Sequence, residues 1–159
     1  MDSNQLLFLL KDLKIDVDLY EHEAFFTVKD AQKGRLIEKG LSTKNLFLRD
    51  EKGCRHFLVV QKDTERADLK ALAVQLRCKK LSFASPERLK RYLGLEPGSV
   101  GFLALICDKN HEVELYFDSS VQDFDFLQTH PLVNTQTVVI SRLDTRKFLD
   151  YTGHSHNLK

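Results

Sequence analysis

The spacing of apolar residues along the chain predicts helices interleaved with strands. Leucines recur at helical spacing over residues 3–14, where Ser3 or Asn4 is the predicted N-cap. Residues 16–21 alternate between apolar and polar, as a half-buried strand does. Further helices are predicted over residues 27–38 (followed by Gly40), 65–77, 85–94, and from Asp144 or Thr145 to about Gly153.

Two pairs of apolar runs predict β-hairpins. NLFLRD and RHFLVVQ are separated by Asp50-Glu51-Lys52-Gly53, with glycine in the predicted turn. A second hairpin is predicted from FLALI at 102–106 and EVELYF at 112–117. Residues 81–83 and 136–141 add two short strands. Because hairpins and helices both occur, the pattern predicts an α/β (α+β) fold with a mixed sheet flanked by helices.

Length and charge narrow the possible classes. The chain has 159 residues, 42% of them hydrophobic, which suits a single domain over residues 1–159. The polar residues at about 154–159 are expected to form a frayed tail. Lys and Arg total 24 against 23 Asp and Glu, for a net charge of +1. This balance excludes a strongly basic DNA-wrapping protein but permits RNA contact through a local basic patch.

The cysteines and histidines do not predict a metal site. Cys54, Cys78 and Cys107 are widely spaced without a CxxC pair, and the histidines lack metal-ligand spacing. We therefore expect neither a metal nor an organic cofactor. The N-terminus lacks the features of a signal peptide, and no apolar run approaches the ~20 residues of a membrane span. A cytoplasmic protein that does not enter a membrane is expected.

Three short segments could carry chemistry. Lys44-Asn45 lies at the entry to the first predicted hairpin strand, where an ammonium could stabilise a phosphate or an oxyanion. Gly98 and Gly101 would let the backbone approach a ligand closely. His130 precedes a proline, which favours an extended backbone, and its side chain titrates near neutral pH. From spacing alone, a solvated lysine, an ordinary loop and a loop histidine remain open.

Several segments, in order, resemble one family. They are LYEHEAFFTVKDA, TKNLFLRDEKG, LSFASPERL, LGLEPGSV, HPLVNTQTVVIS and FLDYTGH. The chain resembles the YbaK and aminoacyl-tRNA-synthetase-associated editing domains, and among them the free-standing bacterial prolyl-tRNA editing proteins of the ProX or PrdX type. The resemblance implies a curved, barrel-like mixed sheet and hydrolysis of the ester in mischarged aminoacyl-tRNA. The usual substrate would be alanyl-tRNA for proline, with prolyl-tRNA synthetase or the elongation factor as possible partners.

The resemblance also implies site residues. Lys44 matches the family's key lysine, Gly98 its motif glycine and His130 its histidine before proline, which gives these three the expected catalytic roles. The expected substrate-binding residues are Phe26, Thr27, Asn45, Ser99, Val100, Gly101, Phe102 and Asn134. Backbone N–H groups of residues 98–101 would polarise the ester carbonyl.

One residue departs from the family pattern. Phe102 stands where the family's GxxxP motif has proline, and a phenylalanine pointing inward would add bulk to the pocket wall. Two alternatives therefore remain open: a tRNA-binding module without hydrolysis, and a deacylase shifted toward serine or cysteine. The basic clusters Lys79-Lys80 and Arg88-Lys90-Arg91 could contact phosphates or could be solvated helix faces.

Overall fold

The structure is a computed structural model that describes residues 1–24 and 37–159. The helix predicted over residues 27–38 lies almost wholly outside the described residues. Phe26 and Thr27 also lie outside them.

Four α-helices are present in the described residues. They are α1 (Ser3–Asp12), α2 (Leu69–Gln75), α3 (Pro86–Leu93) and α4 (Arg142–Thr152). None of these helices is long and apolar enough to cross a membrane.

The helix caps follow side-chain chemistry and correct two predictions. Asp2, rather than Ser3 or Asn4, caps α1 by accepting the N–H of Gln5 in a capping box. Ser141, rather than Asp144 or Thr145, caps α4. Ser85 caps α3 as predicted, with Pro86 in the first turn.

Seven β-strands form two sheets in the described part of the chain. The strands are β1 (Val17–Glu21), β2 (Thr43–Asp50), β3 (His56–Lys62), β4 (Leu81–Phe83), β5 (Val113–Phe117), β6 (Phe126–Thr129) and β7 (Gln136–Ser141). One sheet has the order β1-β7-β6, and the other has the order β4-β2-β3-β5. The first predicted hairpin is confirmed, because β2 and β3 pair in antiparallel fashion from Thr43–Lys62 to Arg49–His56.

The second predicted hairpin is wrong. Residues Phe102–Cys107 form a 3₁₀-helix, and β5 pairs in parallel with β3 instead. Residues 102–106 are all buried, so the apolar run has no polar face that would distinguish a strand from a buried helix. The parallel pair makes the sheet mixed, as the fold class predicts.

The two sheets meet at the start of β2. Leu41 bridges to Leu127 of β6, and the Thr43 hydroxyl donates to the Gln128 carbonyl at 2.7 Å. The two sheets share one large apolar cluster and, among the described residues, do not close into a barrel. This confirms the mixed α/β fold in which helices pack on the sheets.

Opposite faces of β2 contribute to different apolar clusters. Phe47 faces a large cluster that includes residues from both sheets and from α1, α3 and α4. Leu46 and Leu48 face a smaller cluster that also contains Leu72 of α2. Because successive strand residues point to opposite faces, this assigns Asn45 and Arg49 to the side of Phe47 and Lys44 to the side of Leu46.

The C-terminal residues pack on the fold, which corrects the expected frayed tail. His154 is 6% exposed, and its Nε2 lies 2.9 Å from the Asp108 carboxylate. Asn157 accepts the backbone N–H of Phe117 at 2.7 Å and donates to its carbonyl at 2.8 Å. Leu158 is also buried. The sequence is polar here because the tail docks through hydrogen bonds rather than through an apolar stripe.

Replacing Asp108 with alanine should destabilise the protein by about 2–4 kcal/mol. Its buried carboxylate accepts the N–H groups of Glu112 and Val113, at 3.0 and 2.9 Å, in addition to contacting His154. The change removes the acceptor of the buried Val113 N–H and of the His154 ring, and that of the part-buried Glu112 N–H. Urea unfolding measures the loss, with exposed Asp150→Ala as the control. Equal stability of the two variants would contradict this account.

Candidate active site

The loop that contains Gly98 and Gly101 passes the end of β6 at Gly101. A side-chain carbon on Gly101 would lie 2.7 Å from Thr129 Oγ1 and 2.9 Å from the carbonyl oxygen of His130. Only glycine fits this approach, because real Cβ atoms do not come so close to backbone. The structure thus brings together two segments that the sequence analysis singled out separately.

The loop before Gly101 is tightly turned. Gly98 has φ of +90°, a left-handed conformation that favours glycine. Ser99 is buried, and its N–H donates to the Glu96 carbonyl at 3.2 Å. Val100 is half-buried. The Ser99 N–H is therefore already hydrogen-bonded within the loop. It is not free to donate to an ester carbonyl, the role expected of the N–H groups of residues 98–101.

Phe102 belongs to the core and not to the wall of a pocket. Its side chain is 0% exposed and packs against Phe117 and Phe148, with ring centroids 6.1 and 6.0 Å away. The expected substrate-binding role of Phe102 is therefore not supported. Its bulk fills the interior, and the departure from the family's proline does not add a side chain to the site.

His130 is held in one orientation by a backbone carbonyl. Its Nδ1 lies 2.8 Å from the carbonyl oxygen of Gln136. A carbonyl can only accept, so Nδ1 carries the proton and Nε2 of the neutral ring keeps its lone pair. Burial lowers the pKa of His130, partly offset by this hydrogen bond. The ring is therefore neutral at pH 7 and presents a hydrogen-bond acceptor.

His22 accompanies His130 and was missed as a site residue. The two ring centroids are 6.3 Å apart. His22 Nδ1 lies 2.6 Å from the Glu23 carbonyl, and its Nε2 lies 2.8 Å from the Thr137 hydroxyl. The pairing of β1 with β7 brings it there, and this pairing joins residues more than 100 positions apart. The only available signal was its place in the segment LYEHEAFF.

Two buried oxygens, one on β2 and one on β6, lack a hydrogen-bond partner in the described part of the chain. They are Asn45 Oδ1 and Thr129 Oγ1. The hydrogen bond from Thr43 to Gln128 ties the strands that carry them. Unpaired buried polar atoms are costly and uncommon, so these two are suited to bind a polar ligand. Thr129 is the second residue that sequence reasoning missed.

Lys44 is placed apart from this group. Its ammonium donates to the carbonyl of Glu65, and its side chain leaves β2 on the face opposite to Asn45. Asn134 lies half-buried in the turn that precedes β7. Gly101 and His130 are therefore in contact, Asn45 lies on the strand that the Thr43–Gln128 hydrogen bond joins to β6, and Lys44 leaves the other face of that strand.

No group of three or more potential metal-ligating side chains exists within residues 1–24 and 37–159. The candidate site residues offer hydrogen-bond donors and acceptors, the neutral imidazole of His130 and the ammonium of Lys44. Such groups can orient and polarise an ester and a water molecule.

The comparisons with known proteins identify the class. Residues 22–148 match the family described as the aminoacyl-tRNA editing domain. The chain belongs to this family, and it is an aminoacyl-tRNA hydrolase.

Relatives of known name extend across nearly the whole chain. It is 37% identical over 156 residues to the prolyl-tRNA editing protein ProX of Acetoanaerobium sticklandii, covering 98% of this chain and 95% of that protein. It is 32% identical to prolyl-tRNA synthetase associated domain-containing protein 1 of Danio rerio, covering 92% of this chain and 80% of that protein.

Solved structures share the fold. A proposed trans-editing enzyme for prolyl tRNA synthetase superposes with a TM-score of 0.70 at 19% identity, covering 98% of this chain and 94% of the other. A hypothetical protein, APE2540, superposes with a TM-score of 0.72 at 16% identity, covering 96% of both chains. At this identity the likeness concerns the fold alone.

Gly101→Ala should lower kcat/KM for deacylation by about 10- to 100-fold, because the added carbon must push the loop away from Thr129 and His130. Steady-state deacylation measures the loss. Gly94→Ala is the matched control, since nothing lies within 4 Å of a carbon added there. That control should lose some stability, owing to its φ of +70°, and keep its activity. Full activity of Gly101→Ala would refute the close-approach argument.

The pKa of His130 should lie below its ordinary value of 6.5, because burial disfavours the charged ring. As pH falls through 6.5, the unfolded chain takes up this proton before the folded one, so the free energy of unfolding should decrease. Imidazole NMR titration of the wild type gives the pKa, with His130→Asn to assign the resonance. A pKa above 6.5 would contradict the buried neutral ring.

Proposed function

We propose that this chain removes alanine from wrongly charged tRNA for proline, acting in trans to prolyl-tRNA synthetase. The observation that carries the proposal is its 37% identity, over 98% of the chain, to a prolyl-tRNA editing protein. The presence of Lys44, Asn45, Gly98 and His130 at the family's motif positions supports it.

The proposed reaction is hydrolysis by water. The oxygen of a water adds to the ester carbonyl, the bond to the ribose oxygen breaks, and a proton moves to that oxygen. Free alanine and tRNA result. His130 Nε2 would accept a hydrogen bond from the water or from the terminal ribose, since Nδ1 is committed to Gln136. Asn45 and Thr129 would bind polar groups of the aminoacyl end.

To bind the tRNA, the Lys44 ammonium must exchange its present hydrogen-bond acceptor for a phosphate. Its ammonium now donates to a backbone carbonyl, which is a neutral acceptor. A phosphate of the terminal nucleotide is charged and would compete with that carbonyl for the ammonium. Lys44 would then hold a phosphate at the end of the tRNA.

Size explains why such an enzyme is needed. A synthetase pocket made for proline cannot exclude a smaller apolar amino acid, because the missing contacts are worth only a few kcal/mol. A second site that accepts alanine and excludes proline corrects the error. We propose the mischarged tRNA as substrate and the synthetase or the elongation factor as the donor of that substrate. The cytoplasm, where these components are found, is the proposed location.

The second candidate is a change in specificity or a loss of hydrolysis. It is favoured by the absence of proline at position 102 and by the engagement of the Ser99 N–H with Glu96. A reshaped loop would accept serine or cysteine, or would bind tRNA without cleaving it. The burial of Phe102 in the core weakens this candidate, because the phenylalanine ring does not reach the site.

The test is a deacylation panel of alanyl-, seryl-, cysteinyl- and prolyl-tRNA for proline. We expect rapid loss of alanine and no loss of proline from the wild type. Lys44→Ala should lower the rate of alanine loss at least ~100-fold, since an electrostatic contact to the reacting end is typically worth this much. Lys70→Ala, an exposed lysine of α2, serves as the matched control and should retain the wild-type rate.

Each other outcome has a defined meaning. Loss of serine or cysteine in preference to alanine would replace the proposed substrate by the second candidate. Binding of tRNA without hydrolysis would contradict the enzyme assignment for this chain. Full activity of Lys44→Ala would contradict the role of the lysine. The reaction would then be assigned to His130 and its neighbours Gly101 and Thr129.

A further inference from the structure

Two arginines, Arg49 of β2 and Arg88 of α3, converge on Gly53 in the turn between β2 and β3. A side-chain carbon placed on Gly53 would lie 2.9 Å from Arg88 Nη2 and 3.2 Å from Arg49 Nη2. The two nitrogens are therefore no further apart than the sum of these distances. Like charges at such separation repel each other, and an anion between them would remove the repulsion.

Backbone carbonyls hold both guanidinium groups. Arg49 donates to the carbonyls of Asp50 and Glu51, at 3.2 and 3.4 Å, and Arg88 donates to that of Gly53 at 3.0 Å. Carbonyl oxygens orient a guanidinium without neutralising its charge. Within the part of the chain that the structure describes, neither arginine forms an ion pair.

The neighbouring carboxylates are engaged elsewhere. Asp50 is buried; burial raises its pKa, but hydrogen bonds from backbone N–H groups, that of Arg55 first among them, outweigh this and lower the pKa. Glu114 forms a bidentate pair with Arg55, with both N–O distances 2.9 Å. Glu51 accepts the backbone N–H of Lys80. These groups reduce the positive potential of the turn, but none of the three forms an ion pair with Arg49 or Arg88, which are both half-buried.

The guanidinium of Arg88 also contacts a buried histidine. Its Nη1 lies 3.0 Å from His56 Nε2, and His56 is only 1% exposed. The Tyr92 ring covers His56 at a centroid distance of 4.0 Å. Burial lowers the pKa of His56, and the charges of Arg88 and Arg49 lower it further. A neutral imidazole therefore accepts from Arg88 and holds its guanidinium in place before any ligand arrives.

We propose that Arg49 and Arg88 form a phosphate-binding site, here called the turn arginine site, for the sugar–phosphate backbone of the substrate tRNA. Guanidinium groups match phosphate through paired N–H donors, and these two retain donors that no group within residues 1–24 and 37–159 accepts. The ligand class rests on the proposed function, because an enzyme that acts on tRNA must also hold its phosphates.

The position of the site along β2 supports this ligand. Arg49 lies four residues further along β2 than Asn45. At ~3.3 Å per residue, about 13 Å of strand separates them. Nucleotides adjacent to the terminal adenosine can span this distance when the aminoacyl end reaches Asn45. The turn arginine site would therefore contact the acceptor arm and not the reacting ester.

The test compares Arg49→Gln with Arg146→Gln, which removes the same charge from a half-buried position on α4. Binding of uncharged tRNA for proline is titrated at several salt concentrations. Arg49→Gln should raise Kd several-fold and reduce the slope of log Kd against log salt by about one. In deacylation it should raise KM and leave kcat unchanged. Arg49→Lys, which keeps the charge, should recover part of the affinity.

Arg49→Gln that binds tRNA as Arg146→Gln does would overturn the proposal, provided that urea unfolding shows both variants folded. A third arm uses inorganic phosphate alone. A further outcome is that phosphate raises the Tm of the wild type but not that of Arg49→Gln, while both bind tRNA equally well. In that case the site binds free phosphate and the RNA assignment is wrong. The binding assay needs no hydrolysis. Arg49-dependent binding by a wild type that deacylates nothing would therefore overturn the proposed function and keep the turn arginine site.

Discussion

The antiparallel pairing of β2 with β3 is the contact on which the other parts of the structure depend. β2 also pairs with β4 and contacts β6, while β3 pairs in parallel with β5. The register assigns one face of β2 to the large core cluster and the other to the small one. A slip by one residue would exchange the two faces and move every side chain on the strand to the wrong side.

The candidate active site is built from backbone proximity more than from a set of reactive side chains. Gly101 allows the loop to touch the end of β6, and the Gln136 carbonyl fixes the proton of His130 on Nδ1. Gly101 and His130 are thus held in place by their backbone neighbours. Preorganised dipoles and an oriented imidazole suit ester hydrolysis by water, a reaction that needs neither a metal nor a covalent nucleophile.

Charge is organised locally in a chain whose net charge is only +1. The turn arginine site concentrates positive charge at one end of β2, and Lys44 lies near the other. Asp50 is buried and Glu114 is paired with Arg55, so these two carboxylates do not neutralise Arg49 and Arg88. A nearly neutral protein can therefore present a positive surface to RNA, as the composition alone left open.

The sequence by itself determined the local elements and the family. Periodicity located the four helices of the described residues and the first hairpin. Ser85 and Gly94 set the ends of α3, because caps and turns depend on neighbouring residues. The motif around Lys44, Gly98 and His130 also indicated the editing family. Only the tertiary structure decided the 3₁₀-helix over Phe102–Cys107, the docked tail, and the contacts of Gly101 and His22. These features depend on burial on all sides, or on pairing between distant segments, and neither leaves a local pattern in the sequence.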